Sequence, residues 1–401
     1  MKHKTTISLI IACFTLLVAF AGWRVQGQGS TQNSTKPLSV AFLGDTLRFD
    51  LPQLLLGRLG KPTIERYAAL KTQMLNSPHS DLITQMRGFC ADCNLCDWGR
   101  YLLAHAMSEA AYPASMSNEK IALQIFILTQ MGFDARAALS GKQLVMLLPF
   151  DGTVYERGYI EIDGRRFYIF EYHSTPDGYI PIVEQRDSTL RPLSIEIGVG
   201  INTPRIVNIA LPRWSAYLGE EISVPISPAR IELMRSYPTT EKAPFHRAEI
   251  TQPLADTILT SLNRHIEGFS ELSAAQFLLG LVQHGFDFTS DSDLFGRHKQ
   301  MTIEESLFYG RNNCKDRTLI YSWLIGELLS LPNILIEYQV DPAIEPIGHI
   351  ACGVAFSSPV KGTNILYRGR RFTLCDPSYV DAAIGQAMPH YAQFPMKVVD
   401  L

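Results

Sequence analysis

The sequence predicts an α+β chain in two halves, and three observations carry that prediction. Stretches of helical period give way to β-branched, period-2 stretches between Trp98 and Glu171. The same succession recurs between Leu254 and Cys375. Between them, Tyr237 to Pro253 has little periodicity and carries Pro238, Thr239, Thr240 and Pro244, which marks the expected domain boundary. The composition, 46% hydrophobic and 19% charged over 401 residues, is that of a globular chain of two or three domains. A net charge of -3 without a basic tract argues against a nucleic-acid partner.

The first 21 residues read as a secretory signal peptide. Lys2 and Lys4 form a positive start, Ile7 to Phe20 is mostly apolar, and Ala19-Phe20-Ala21 supplies a small-residue cleavage site. An uncleaved membrane anchor is the competing reading, but the run is short against the about 20 apolar residues a spanning helix needs. Cys13 lies inside the apolar run and not after it, so it is set aside as a lipidation site. Residues 22–36 are rich in Gly, Ser, Gln and Thr and read as a flexible leader. The expected location is the periplasm or the exterior, with association with the cell envelope.

Residues 37–240 form the expected first domain. Leu38 to Leu43 reads as a strand, and Thr63 to Leu75, Asp81 to Arg87, Trp98 to Ala111 and Asn118 to Gly132 read as helices. Strands follow at Ala135 to Leu139, Leu144 to Leu148, Gly158 to Ile162 and Arg166 to Glu171, the last two joined by an Asp163-Gly164 turn. The Pro- and Gly-rich stretch Pro181 to Pro228 reads as more sheet and loops. Residues 250–401 form the second domain. Leu254 to Phe269, Glu271 to Gln283 and Asp316 to Leu329 read as helices, with a loop from Gly285 to Gln300 and a capping signal at Thr302 and Glu305. Strands are expected at Ile334 to Val340, His349 to Phe356, Thr363 to Tyr367 and Phe372 to Cys375. Aligning the short turns after the helices, Met131-Gly132-Phe133 and Ser330-Leu331-Pro332, sets Cys314 against Ser115 to Asn118, where no cysteine stands. Two readings stand for this parallel: a diverged repeat with a dead first copy, or a common arrangement met twice.

Of the seven cysteines, six lie beyond the leader. Cys90, Cys93 and Cys96 have a spacing that suits a metal or an iron–sulfur cluster, but no fourth ligand stands at a suitable distance, His105 being the nearest candidate. One local disulfide plus one buried thiol is the favoured reading, and no cofactor or metal is expected. Cys352 and Cys375 sit inside apolar strands, as small buried hydrophobes do. Cys314 differs: Asn312, Asn313, Lys315 and Asp316 flank it at the start of a helix with Leu319, Ile320, Trp323, Leu324 and Leu328 facing inward. A helix N-terminus favours a thiolate and offers backbone donors to an oxyanion. His349 precedes the apolar run Ile350 to Val354, and Asp376 follows a strand. Singly, a histidine among ten is usually structural and an Asp before Pro usually a turn former. In this order they read as nucleophile, base and orienting carboxylate.

At these residues the chain resembles the transglutaminase-like superfamily of papain-like cysteine enzymes, in particular secreted members of the Bacteroidetes type. The resemblance rests on Asn313-Cys314-Lys315-Asp316-Arg317-Thr318, a strand His, a strand-end Asp, the ending Cys375 to Ala382 with Gly385 to Pro389, and Phe277 to Gln283 with Phe295-Gly296-Arg297. It covers about residues 250 to 401. It implies a papain/transglutaminase-like core in which a Cys-bearing helix packs on an antiparallel sheet. It also implies Cys314 as nucleophile, His349 as general base and acid, and Asp376 as orienting carboxylate. By looser analogy with the papain-like glutamine, Gln283 is an oxyanion candidate, against a solvent-facing helix end. Asp316 and Arg317 are expected to hold the helix start. The link Asp341 to Gly348 is longer than in many relatives. The expected activity is attack on peptide or glutaminyl amides of a peptide or protein substrate, as protease, amidase or transamidase. The alternative is an inactive transglutaminase-like binding module of the envelope.

Overall fold

In the computed structural model, residues 34–172, 178, 180–182, 189–340 and 348–399 are described. The signal peptide, nearly all of the leader and most of the link before His349 lie outside them. Strand β1 (Thr35–Phe42) pairs with β2 (Asp45–Pro52), so the end of the expected leader is already sheet. Four helices follow: α1 (Ile64–Leu75), α2 (Ser80–Asp92), α3 (Asp97–Ala111) and α4 (Ser117–Gln130). Next come β3 (Arg136–Ser140), β4 (Gln143–Pro149), β5 (Tyr159–Ile162), β6 (Arg165–Phe170) and β7 (Ile180–Pro181). Asp163 and Gly164 close the β5–β6 hairpin with positive φ of 51° and 74°, the geometry an Asp-Gly turn favours.

The stretch expected as sheet and loops holds β8 (Val207–Ala210), α5 (Pro212–Leu218) and β9 (Ser223–Ile226), with α6 (Pro228–Arg235) and α7 (Ala243–His246) beyond. Its prolines misled the sequence reading: Pro212 and Pro228 each open a helix, where a missing N–H costs nothing.

The second half begins with α8 (Gln252–Ile266) and α9 (Glu271–His284). The expected loop contains β10 (Asp287–Phe288) and α10 (Asp291–Phe295), followed by α11 (Ile303–Tyr309) and β11 (Arg311–Asn312). Thr302 and Glu305 form the expected capping box on α11. Then come α12 (Cys314–Leu329), β12 (Asn333–Tyr338), β13 (Ile350–Val354), β14 (Asn364–Tyr367), β15 (Arg370–Cys375) and β16 (Met396–Val399).

Each half carries a five-stranded antiparallel sheet, and the two share one connectivity. The orders are β5-β6-β4-β3-β7 and β14-β15-β13-β12-β16, the same sequence of positions when strands are counted from the start of each sheet. The registers align them residue by residue. Met146 pairs with Ala137 and Phe170, as Cys352 pairs with Leu335 and Cys375. Helix α4 packs on β4 as α12 packs on β13.

One continuous apolar core joins the halves, running from Val40 and Leu123 through Met146, Trp214 and Leu278 to Leu324 and Cys352. Tyr237 and Phe245, from the expected boundary, belong to it, so that stretch is packed and not a bare linker. Smaller clusters cover the outer sheet faces: Ala138, Val145, Leu147, Phe167 and Ile169 on the first, and Ile336, Tyr338, Ala351 and Leu374 on the second. No helix among the described residues is long and apolar enough to cross a membrane.

Candidate functional site

Cys314 is the first residue of α12, two positions earlier than the periodicity suggests. Asn313 is the N-cap: its side chain accepts from the Lys315 N–H at 3.3 Å and shares a capping box with Asp316. Asp316 is fully buried and accepts from the backbone N–H of Met301 at 3.0 Å and from Gln300 Nε2 at 3.2 Å. Burial pushes its carboxyl up to about 6, against the opposing charge of Lys315. Arg317 donates from Nε to Asn312 Oδ1 at 3.0 Å, and from its two terminal nitrogens to the carbonyls of Gln283 at 3.2 Å and Phe286 at 2.9 Å. Asp316 and Arg317 thus fasten the start of α12 on both sides. Thr318 Oγ1 donates to the Ile350 carbonyl at 3.2 Å, which ties the helix to the strand that follows His349.

His349 lies at the mouth of β13, its carbonyl accepting from the Tyr338 N–H at 3.0 Å. Its ring is 5% exposed. Nε2 donates to Asp376 Oδ2 at 2.7 Å, and the Cys314 thiol acts on the same ring closely enough to raise its pKa. Burial pulls the imidazole down, but the bonds to Asp376 and then Cys314 outweigh it, and its pKa is pushed up to about 9. Asp376 is held in turn: Oδ1 accepts from the N–H groups of Ser378 at 2.9 Å and Tyr379 at 3.2 Å. The three residues expected to act together are therefore brought into one cluster, with His349 and Asp376 directly hydrogen-bonded.

Gln283 stands differently. It is buried, not a solvent-facing helix end, and its Nε2 donates to the carbonyls of Asp376, Tyr379 and Ala382 at 3.0, 2.8 and 3.2 Å. An amide nitrogen has two hydrogens, and three acceptors occupy them. This leaves no donor for an oxyanion and makes Gln283 the brace of the loop that carries Asp376.

Two sets of residues near the site carry no sequence signal of their own. Asp291 accepts from Asn313 Nδ2 at 2.7 Å and Lys315 Nζ at 2.5 Å, and its other oxygen from the Lys299 N–H at 3.1 Å. Arg297 links this loop to the first half, donating to the carbonyls of Arg235 at 3.1 Å and Tyr237 at 2.7 Å. On the other side, the rings of Tyr338 and Tyr391 cluster with His349 and with each other. Asp291 is only the first residue of a five-residue helix capped by Ser290, and Tyr391 lies in a segment with no periodicity.

The remaining cysteines are free thiols among the described residues. The expected local disulfide near Cys90, Cys93 and Cys96 is not formed. Cys90 ends a core-facing turn of α2, and Cys93 Sγ donates to the Phe89 carbonyl at 2.9 Å. Burial pushes Cys90 up to about 12, Cys96 up to about 11 and Cys375 up to about 12, and raises Cys93 and Cys352 as well. Such thiols are inert. No group of His, Cys, Asp and Glu among the described residues could hold a metal.

The aligned registers also locate the counterpart positions in the first half. Ser140 and Gln143 pair where Tyr338 and His349 pair, Ser117 opens α4 where Cys314 opens α12, and Glu171 follows β6 where Asp376 follows β15. A carboxylate survives there without a nucleophile or base. Glu171 instead accepts from Tyr101 Oη and from His105 Nδ1 at 3.0 Å, both on α3. No protein-family model matches the chain, and no curated protein matches it.

Proposed function

We propose that the chain is an exported cysteine enzyme of the transglutaminase-like kind, acting on peptide or glutaminyl amides through a Cys314-His349-Asp376 triad. The observation that carries the reading is the cluster itself: a thiol at a helix start, acting on an imidazole whose Nε2 donates to a buried carboxylate at 2.7 Å. His349 takes the thiol proton, and the thiolate adds to the amide carbonyl. The N–H groups opening α12, beginning with that of Cys314, meet the oxyanion. Protonated His349 then gives its proton to the leaving amine, and a thioester remains on Cys314. Water would release an acid; a primary amine would release a new amide. Hydrolysis is the favoured outcome, because transamidation requires that water be kept out. Asp376 fixes the tautomer throughout.

The shared connectivity and register support reading the second half as a papain/transglutaminase-like core and the first as its diverged copy without a nucleophile. Export to the periplasm or exterior rests on the leader alone. The test is labelling with a thiol-directed probe at neutral pH, followed by mass spectrometry. Cys314 is expected to react far faster than a free peptide thiol and to lose that advantage in His349→Ala. If it reacts no faster than a peptide thiol, the enzyme reading fails and an inactive envelope-binding module takes its place. Products formed with and without an added primary amine separate hydrolysis from transamidation.

A further inference from the structure

We propose that Tyr391 is a positioning residue for His349, and that the segment 386–395 carrying it belongs to the catalytic unit. The inference rests on the triad reading above and goes beyond it. The Tyr391 ring lies 4.5 Å from the His349 ring at an interplanar angle of 18°, and Tyr338 covers the imidazole at 5.6 Å and 27°. Tyr338 and Tyr391 also touch each other, at 5.6 Å and 41°, so the three rings form one aromatic cluster in which the imidazole is almost sealed from water and Tyr391 makes the closest stack. The π-face of each ring is the negative part of its quadrupole, so stacking favours the imidazolium over neutral imidazole. Sealing also strengthens the bond to Asp376.

The segment is built to hold that ring still. Tyr391 and Phe394 donate their N–H groups to the carbonyls of Met388 and Tyr391, both at 2.9 Å, and Gln339 donates to the Pro395 carbonyl at 2.8 Å. Immediately afterwards β16 pairs with β12, the strand that ends in Tyr338. Ala387, Tyr391, Phe394 and Met396 pack on the outer cluster of Ile336, Tyr338, Ala351 and Leu374. Among the described residues, the groups facing His349 are Cys314 from α12, Asp376 from the end of β15, Tyr338 from β12 and Tyr391 from this segment, with the His390 ring 4.9 Å from that of Tyr391. Buried Tyr338 Oη has no hydrogen-bond partner among the described residues, and it is the ring of that side chain that meets His349.

The experiment compares Tyr391→Phe with Tyr391→Leu. Phenylalanine keeps the ring; leucine keeps an apolar cover over the cluster and removes the π-face. His349 is followed by NMR of ring-labelled protein across pH, its signal assigned by His349→Gln, and Cys314 by its alkylation rate at neutral pH. Leucine is expected to lower the His349 midpoint by about one pH unit, the size of a desolvated cation–π contact, and to slow alkylation about tenfold. Phenylalanine is expected to stay close to the parent protein in both. A leucine variant with an unchanged His349 midpoint overturns the proposal, as does a phenylalanine variant that falls as far as leucine. If His349→Ala leaves Cys314 alkylation unchanged, it is the triad reading that fails, while the His349 titration still decides the role of Tyr391.

Discussion

Replacing Asp376 by asparagine should change how stability depends on pH, and the size of the change follows from the site. His349 is raised from 6.5 to about 9, which corresponds to about 3 kcal/mol of preference for its protonated form in the folded state. A histidine raised in this way stabilises the fold fully below its unfolded value near 6.5, and the contribution disappears as pH climbs through about 9. Asp376 supplies the largest of the forces that raise it; in the asparagine variant burial remains and the carboxylate is gone. Urea unfolding of both proteins between pH 6 and 9.5 reads the effect directly. The difference in unfolding free energy should be about 3 kcal/mol at the acid end and shrink towards zero at the alkaline end. Subtracting one curve from the other removes the groups common to both. Parallel curves across that window would refute a charge-assisted His349–Asp376 pair and with it the orienting role of Asp376.

Other outcomes follow from neighbouring residues. Gln283→Leu removes a buried donor shared by three carbonyls, one of which, that of Ala382, accepts from no backbone N–H among the described residues, so it should lower stability by about 1–3 kcal/mol in urea titrations and slow Cys314 labelling as the Asp376 loop loosens. Lys299 and Glu305 form a buried ion pair at 2.8 Å; Lys299→Met alone should cost about 3–5 kcal/mol, and adding Glu305→Leu should recover most of it in the same assay. Tyr338→Phe removes a buried, unpartnered hydroxyl and should leave the melting temperature unchanged or higher, whereas a marked fall would reveal a bond to that oxygen. In a short alkylation pulse followed by peptide mapping, Cys314 should be the only fast-labelling cysteine, because burial raises Cys90, Cys93, Cys96, Cys352 and Cys375; early label on any of these contradicts that ordering.

Much of the fold was legible because its signals are local. The 3.6 and 2.0 periods located α3, α4, α9, the strands β3 to β6 and the strands β12 to β15 within a few residues, and Asp163-Gly164 and Thr302-Glu305 marked their turn and cap. Pro212 and Pro228 were misread because a proline marks a helix start and a loop equally well from sequence alone. β16 went unseen because its half-exposed residues gain their meaning only from pairing with β12. The triad residues were legible as residue types in chain order, but their contact was not. Gln283 shows the difference: its type suggested an oxyanion donor, and only its three carbonyl partners reveal a brace. Tyr391 reaches His349 from 42 residues further along the chain, and no local pattern announces such a meeting.

The single core has a consequence for how this chain can change. Two tandem units with separate interiors can be cut apart, and a silent one can be lost without harm to the other. Here Trp214 and Met146 share an interior with the helix that presents Cys314. Arg297 reaches back across the seam to the carbonyls of Arg235 and Tyr237. Deleting the first half would expose one wall of the half that carries Cys314, so the first half is retained by packing whatever its own chemistry. Leu123, Met146 and Leu148 lie in that shared interior, so packing restrains them. A protease that nicks the 237–253 stretch should therefore leave two fragments that stay together, and neither should fold when made alone.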